Sequence, residues 1–265
     1  MRLKRLIWLG TLFLLFGCTM PAQIEDNGST ITIFAAASLT DAFTEMGTQF
    51  EAANPNVQVV FNFAGSQQLA QQLAQGAPGD VFASANEQQM NNVVENGRIH
   101  SASPQPFAHN ELVVIYPQEN PGNMTAVADL AIPGLKIILA TAEVPVGAYS
   151  LEFLRAASVE AAWGDGFETA VLANVVSYEQ NVRAVFSKVA LGEADAGIVY
   201  GSDLDTETAA QIGALPIPPE WNVSAAYPIA PLADSRQPEM AQAFIDFVLS
   251  QEGQQILEMY DFRGK

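Results

Sequence analysis

The stretch Ile31-Thr32-Ile33-Phe34-Ala35-Ala36-Ala37-Ser38-Leu39-Thr40-Asp41-Ala42-Phe43 opens as a β-strand and closes as a helix. Residues 31–34 are strand-like, whereas Leu39, Phe43, Met46 and Phe50 recur on one helical face. The pattern repeats downstream. Val57, Val59, Phe61 and Phe63 alternate as a strand does, Gly65-Ser66 follows, and Leu69 and Leu73 begin another helical face. Residues 80–85 form a further short strand that enters a loop. This βαβα rhythm predicts an α/β fold with a mostly parallel sheet, whose ligands bind beyond the carboxyl ends of its strands. Ser38 and Ser66 sit where strand gives way to helix, close to exposed backbone N–H groups and positive dipole ends. Helix N-termini of this kind hold anions without lysine or arginine.

The alternation continues along the chain. Ala108-His109-Asn110 precedes a strand over 111–116, and Pro216-Ile217-Pro218-Pro219 precedes the run 223–231. Between them lies a second α/β unit: a strand over 136–140, a helix from Tyr149, a strand-like 173–176, a helix from Asn181 and a strand over 196–200. The chain then returns to its first part and ends in a helix carrying Phe244, Phe247 and Val248. The expected architecture is discontinuous, with two crossings between lobes. Residues 31–110 and 227–265 make lobe 1, and residues 111–226 make lobe 2, each a mostly parallel sheet flanked by helices.

A chain of 265 residues buries a sizeable core whether it forms one domain or two lobes. At 49% hydrophobic and 15% charged it has an ordinary globular composition. The formal net charge of -18 repels nucleic acid and anionic headgroups, which argues against both as partners. At the N-terminus Arg2, Lys4 and Arg5 form a positive region, and residues 6–16 an apolar core too short to span a bilayer. That core ends in Leu15-Phe16-Gly17-Cys18, which resembles a bacterial lipobox, where the cysteine is lipidated and becomes the first mature residue. Residues 1–17 are thus expected to be a lipoprotein signal peptide, Cys18 the lipid anchor and residues 18–30 a polar tether. Cys18 is the only cysteine, so no intramolecular disulfide forms. The expected product is extracytoplasmic, in the periplasm or on the cell surface, and touches the membrane only through its anchor.

Enzymatic constellations are missing from the sequence. His100 and His109 are the only histidines, and neither has a Cys or His at metal-ligand spacing. There is no G-x-S-x-G elbow, P-loop or dinucleotide fingerprint. His109 reads as a hinge-region surface residue, and most carboxylates fall on polar helix faces or in loops. Ser38-x-x-Asp41 ahead of an apolar helical face reads as a capping box. A hydroxyl that caps a helix still has a hydrogen to donate, so Ser38 and Ser66 can each serve a helix and a ligand together.

The ordered motifs are more specific than any one of them. Ala35-Ala36-Ala37-Ser38-Leu39, Gly65-Ser66, Gly76-Ala77-Pro78-Gly79-Asp80-Val81-Phe82-Ala83-Ser84-Ala85, Val144-Pro145-Val146-Gly147-Ala148-Tyr149, Asn181-Val182-Arg183 and Ala196-Gly197-Ile198-Val199-Tyr200 together resemble periplasmic molybdate-binding proteins of ABC transporters. The C-terminal Phe244-Ile245-Asp246-Phe247-Val248 and Ser250-Gln251-Glu252-Gly253 are similar to the last helices of the wider solute-binding family. The resemblance implies a two-lobe periplasmic-binding-protein fold that is not an enzyme and needs no cofactor. Its ligand would be molybdate, and tungstate with it, with molybdenum bound as its oxyanion and no direct protein–metal ligand. Ser38 and Ser66 would give hydroxyls from the first lobe. Val146 and Val182 would give backbone N–H groups, and Tyr200 its phenol, from the second. Many relatives have a small residue, often alanine, where Val146 stands, a change that a backbone donor tolerates. Arg183 would play a supporting part. The implied partner is an ABC permease and the implied state a monomer. Taken alone, Val146-Gly147 reads as a turn and Tyr200 as a strand-end aromatic. Two alternatives remain open at this point. One is a receptor of the same fold for sulfate or a small organic anion, with Arg183 or Arg155 pairing a carboxylate. The other is a secreted hydrolase.

Overall fold

A computed structural model describes residues 28–160, 163–205 and 209–264. The signal peptide, Cys18 and most of the tether lie outside them. The chain runs β1 (Ser29–Ala36), α1 (Thr40–Ala53), β2 (Val57–Ala64), α2 (Ser66–Ala74), β3 (Val81–Ala83), α3 (Glu87–Glu95) and the long β4 (Gln105–Pro117). It continues through β5 (Ile137–Ala140), α4 (Pro145–Glu160), α5 (Phe167–Ala173), β6 (Val175–Glu179), α6 (Val182–Ala190), β7 (Ala196–Tyr200) and β8 (Ile212–Pro216). It closes with β9 (Ser224–Pro231), α7 (Pro238–Leu249) and α8 (Gln251–Met259). Ser29 and Thr30, expected in the tether, already belong to β1 because β1 pairs with β2 from Ser29 onward.

The strands form one curled mixed sheet in the order β2-β1-β3-β9-β4-β7-β5-β6, with β8 also on β4. β1 lies parallel to β2 and β3, and β5 parallel to β6 and β7. Every antiparallel pairing involves β4 or β9. These two strands join the halves, and β4 does so within its own length. Its residues up to Glu111 pair with β9, and those from Leu112 onward pair with β7 and β8.

Ala108-His109-Asn110 therefore lies inside a strand rather than before one. The polar pair His109-Asn110 suggests a loop by composition, but its groups are satisfied in place. The His109 N–H donates to the Arg263 carbonyl, and the Arg263 N–H returns a bond to the His109 carbonyl, at 2.8 and 2.9 Å. Helix α4 likewise begins at Pro145, four positions before Tyr149. Proline suits a first helical position, since its missing N–H would have no partner there.

The return of the chain to its first half is an aromatic affair. Phe244 of α7 meets Phe43 and Phe50 of α1 at 5.9 and 5.4 Å between ring centres, and Phe43 meets Phe107 of β4 at 5.8 Å. Such edge-on and tilted pairs contribute about 0.5–1.5 kcal/mol each beyond their burial. They hold α1, and with it the β1–α1 turn, against the sheet.

Candidate functional site

The carboxyl ends of β1, β2, β5 and β7 and the starts of α2, α4 and α6 surround one small cavity. Its walls are Ala36, Ala37, Ser38, Gly65, Ser66, Ala85, Val144, Pro145, Val146, Asn181, Val182 and Tyr200. All five residues singled out in the sequence are brought together here. No charged side chain lines the cavity.

Ser38 and Ser66 arrive by different local routes. Ser38 lies in a short 3-10 turn, Ala37–Leu39, between β1 and α1. That turn places it ahead of the helix, so Leu39 is the N-cap of α1 and makes no side-chain cap bond. The capping-box expectation fails for this reason: the Ser38 Oγ instead lies 2.9 Å from the Tyr227 hydroxyl. Ser66 is the first residue of α2, with Gly65 as N-cap. Its Oγ accepts the Ala85 N–H at 3.0 Å. Both serines are buried.

Val146 and Val182 sit in the first turns of α4 and α6, where backbone N–H groups lack partners inside the helix. Asn181 caps α6 by accepting the Ala184 N–H at 2.9 Å, which leaves the Val182 N–H uncommitted to that cap. Gly147 makes the α4 seat possible: a Cβ there would run into the Thr141 and Ala140 carbonyl oxygens at the end of β5. Tyr200 ends β7 almost completely buried, and its hydroxyl has no hydrogen-bond partner among the described residues. Burial holds the phenol well above its usual range, so it stays a donor at any physiological pH. A buried donor left unpaired is costly, which points to a missing acceptor.

Arg183 does not face the cavity. Its guanidinium bridges Asp41 of α1 and Asp203, with Nε 3.3 Å from Asp203 Oδ1. Arg155 is largely exposed and lies 3.8 Å from Glu168. Neither arginine is placed to pair with a ligand carboxylate. Other contacts across the cleft are the Gln67 Nε2 donating to the Gln180 carbonyl at 2.8 Å and the Gln89 Nε2 donating to the Glu143 carbonyl at 3.1 Å. The two halves therefore touch around the cavity.

Asp203 was not legible as part of this site. It is completely buried, and its Oδ2 accepts the Tyr200 N–H at 3.1 Å, tying the end of β7 in place. Burial pushes its carboxyl up to about 6, against the opposing pull of Arg183. Between about pH 4 and 6 it is thus protonated when folded but ionised when unfolded. Its contribution to stability is complete below the unfolded value and is lost as pH rises through about 6. Asp203→Asn removes this titration. In urea unfolding at pH 4 to 7, the wild-type protein is expected to lose stability relative to Asp203→Asn as pH rises. Parallel curves for the two proteins would rule that account out.

The cavity is lined by polar and apolar residues without a charged side chain, and it lies between two α/β halves. The chain belongs to the bacterial extracellular solute-binding protein family, whose model matches residues 31–263. It is 39% identical over 242 residues to the molybdate-binding protein ModA of Mycobacterium tuberculosis, covering 91% of this chain and 87% of that one. It is 31% identical over 252 residues to ModA of Escherichia coli, covering 91% of each. Its fold matches that of the sulfate-binding protein SubI of Mycobacterium tuberculosis with a TM-score of 0.80 and 21% identity, over 89% of this chain and 87% of that one.

Proposed function

We propose that this protein captures molybdate, and tungstate with it, between two lobes outside the cytoplasm and delivers it to an ABC permease. The observation that supports this best is the buried Tyr200, whose hydroxyl has no hydrogen-bond partner among the described residues, on the wall of the cavity that Ser38, Ser66 and the starts of α4 and α6 also line. The similarity to ModA proteins supplies the ligand class.

The chemistry is coherent. Burying a doubly charged anion is costly unless donors replace its hydration shell. Three hydroxyls, two helix-start N–H groups and two helix dipoles can replace it, each bond to a charged group contributing about 1.5–3 kcal/mol. Hydrogen phosphate is disfavoured, since its own O–H would find no acceptor. Among tetrahedral dianions, cavity size then sets the preference.

The lobes in this proposal are residues 31–110 with 227–265, and residues 111–226. The change of partners along β4 between Glu111 and Leu112 supports that division. Only the closed state engages donors from both lobes, so ligand shifts the population toward closure. Cys18 tethers the monomer to the membrane and leaves the lobes free to meet the permease. Calorimetric titration with molybdate, tungstate, sulfate and phosphate is the direct test. The expected result is binding of molybdate and tungstate and none of phosphate. Failure to bind either molybdate or tungstate overturns the proposal, and binding of sulfate alone replaces it with a sulfate receptor.

A further inference from the structure

Three charged side chains lie a short step along the chain from residues that line the cavity, and none of them lines it itself. Asp41 follows Ser38 by three positions in the first turn of α1, Arg183 follows Val182 in the first turn of α6, and Asp203 follows Tyr200 by three. They meet at the Arg183 guanidinium. Its Nη2 donates to Asp41 Oδ2, while its Nε lies 3.3 Å from Asp203 Oδ1. Two carboxylates thus take different nitrogens of one planar group, a geometry that the guanidinium fork supplies.

The two arms of this cluster differ. The Asp203 arm stays within one half of the molecule: Asp203 is buried and its Oδ2 accepts the Tyr200 N–H, so it moves with the end of β7. The Asp41 arm crosses from α6 to α1, from one half to the other. The other polar contacts across the cleft, from Gln67 to the Gln180 carbonyl and from Gln89 to the Glu143 carbonyl, are uncharged. Arg263 and Glu111 also pair, but beside β4, which runs through both halves. Among the described residues, Arg183–Asp41 is the ion pair that spans the cleft away from the connecting strands. Its side chains are 25% and 34% exposed, so water weakens the attraction only in part. Opening of the cleft parts Asp41 from Arg183 and leaves Asp203 paired.

We infer that Asp41 and Arg183 are positioning residues, whose pair latches the closed arrangement and so sets how tightly the oxyanion is held. This rests on the oxyanion site proposed above. Affinity includes the free energy of closure, since only the closed state presents donors from both halves. A contact formed only on closure therefore tightens binding without touching the ligand. Its loss acts mainly by faster release.

The sign of the effect separates a latch from simple charge. Asp41 is an acidic group three positions from Ser38, so by charge alone its removal strengthens anion binding, and a lysine in its place strengthens it further. A latch requires the reverse. Calorimetry and stopped-flow release of molybdate are measured on the full chain at pH 7. Asp41→Asn is expected to weaken binding by about tenfold, most of it in the release rate. Asp41→Lys, which sets a cation against Arg183, is expected to weaken it further. Asp41→Glu keeps a carboxylate in the first turn of α1 and is expected to stay within about threefold of the wild type. The melting temperature without ligand reports folding, and Asp41→Asn decides the matter if Asp41→Lys does not fold. An affinity unchanged or raised in Asp41→Asn overturns the inference, and so does a loss carried by slower association. If the wild-type protein binds no oxyanion, the proposed function fails and takes this inference with it. If it binds molybdate and Asp41→Asn binds equally well, only the latch fails.

Discussion

Ser38→Ala combined with Ser66→Ala is expected to cut molybdate affinity on the order of a thousandfold while leaving the chain folded. The size follows from the chemistry of the cavity. Two hydroxyl bonds to a dianion are lost at about 1.5–3 kcal/mol each, and every tenfold in affinity corresponds to about 1.4 kcal/mol. No lysine or arginine lines the cavity to compensate. The cost to folding is of similar size but is set against a native stability of about 5–15 kcal/mol. The Ala85 N–H loses its acceptor and the Tyr227 hydroxyl loses Ser38, each a buried group worth about 1–3 kcal/mol when stranded. Titration calorimetry with molybdate, alongside thermal unfolding without ligand, separates the two effects. An affinity unchanged in the double variant would remove these serines from the site.

Gly65→Ala is expected to impair closure rather than folding. Gly65 has φ -59 and ψ 136, a conformation open to any residue, so alanine meets no local strain. A Cβ at this position would, however, press on the Gln180 carbonyl oxygen, which belongs to the facing half of the molecule, as well as on the Gln67 side chain. The side chain can move aside, whereas the carbonyl is held by its own backbone. The clash thus falls on the closed arrangement alone. Overpacking of this kind costs about 1–3 kcal/mol, which lowers molybdate affinity by roughly fivefold to two-hundredfold. The melting temperature without ligand is expected to stay near that of the wild-type protein. Small-angle scattering at subsaturating molybdate should show fewer closed molecules than the wild type at the same concentration. An affinity within about twofold of wild type would show that the approach of Gly65 to Gln180 places no limit on closure.

Much of the fold was legible because its signals are local. The strand-to-helix turns at Ser38 and Ser66, the cap at Asn181 and the end of β7 at Tyr200 each announce themselves within a few residues. The start of α4 was misplaced by four positions, although Pro145 carries the appropriate signal. His109-Asn110 was expected to precede a strand and lies inside β4 instead, because a local pattern says nothing about partners that arrive from elsewhere in the chain. Asn110 finds them in Ser202 and its neighbour's N–H, and the His109 backbone finds them in Arg263. Arg183 shows the same limit: its partners, Asp41 and Asp203, could not be assigned by spacing.

By itself, the sequence determined the alternation of strands and helices, the acidic character of the chain and five of the residues that line the cavity. Those properties depend on periodicity, composition and short motifs, which neighbouring residues carry together. Only the tertiary structure decided which groups those residues meet. Ser38 had the spacing of a helix cap, yet its oxygen meets Tyr227, 189 residues away, and Ser66 meets Ala85, 19 residues away. Strand order and register determine those meetings, because they bring together residues far apart in the chain. The sequence supplied the hydroxyls, and the packing of β1 on β3 and of β3 on β9 brings Ser38 to Tyr227.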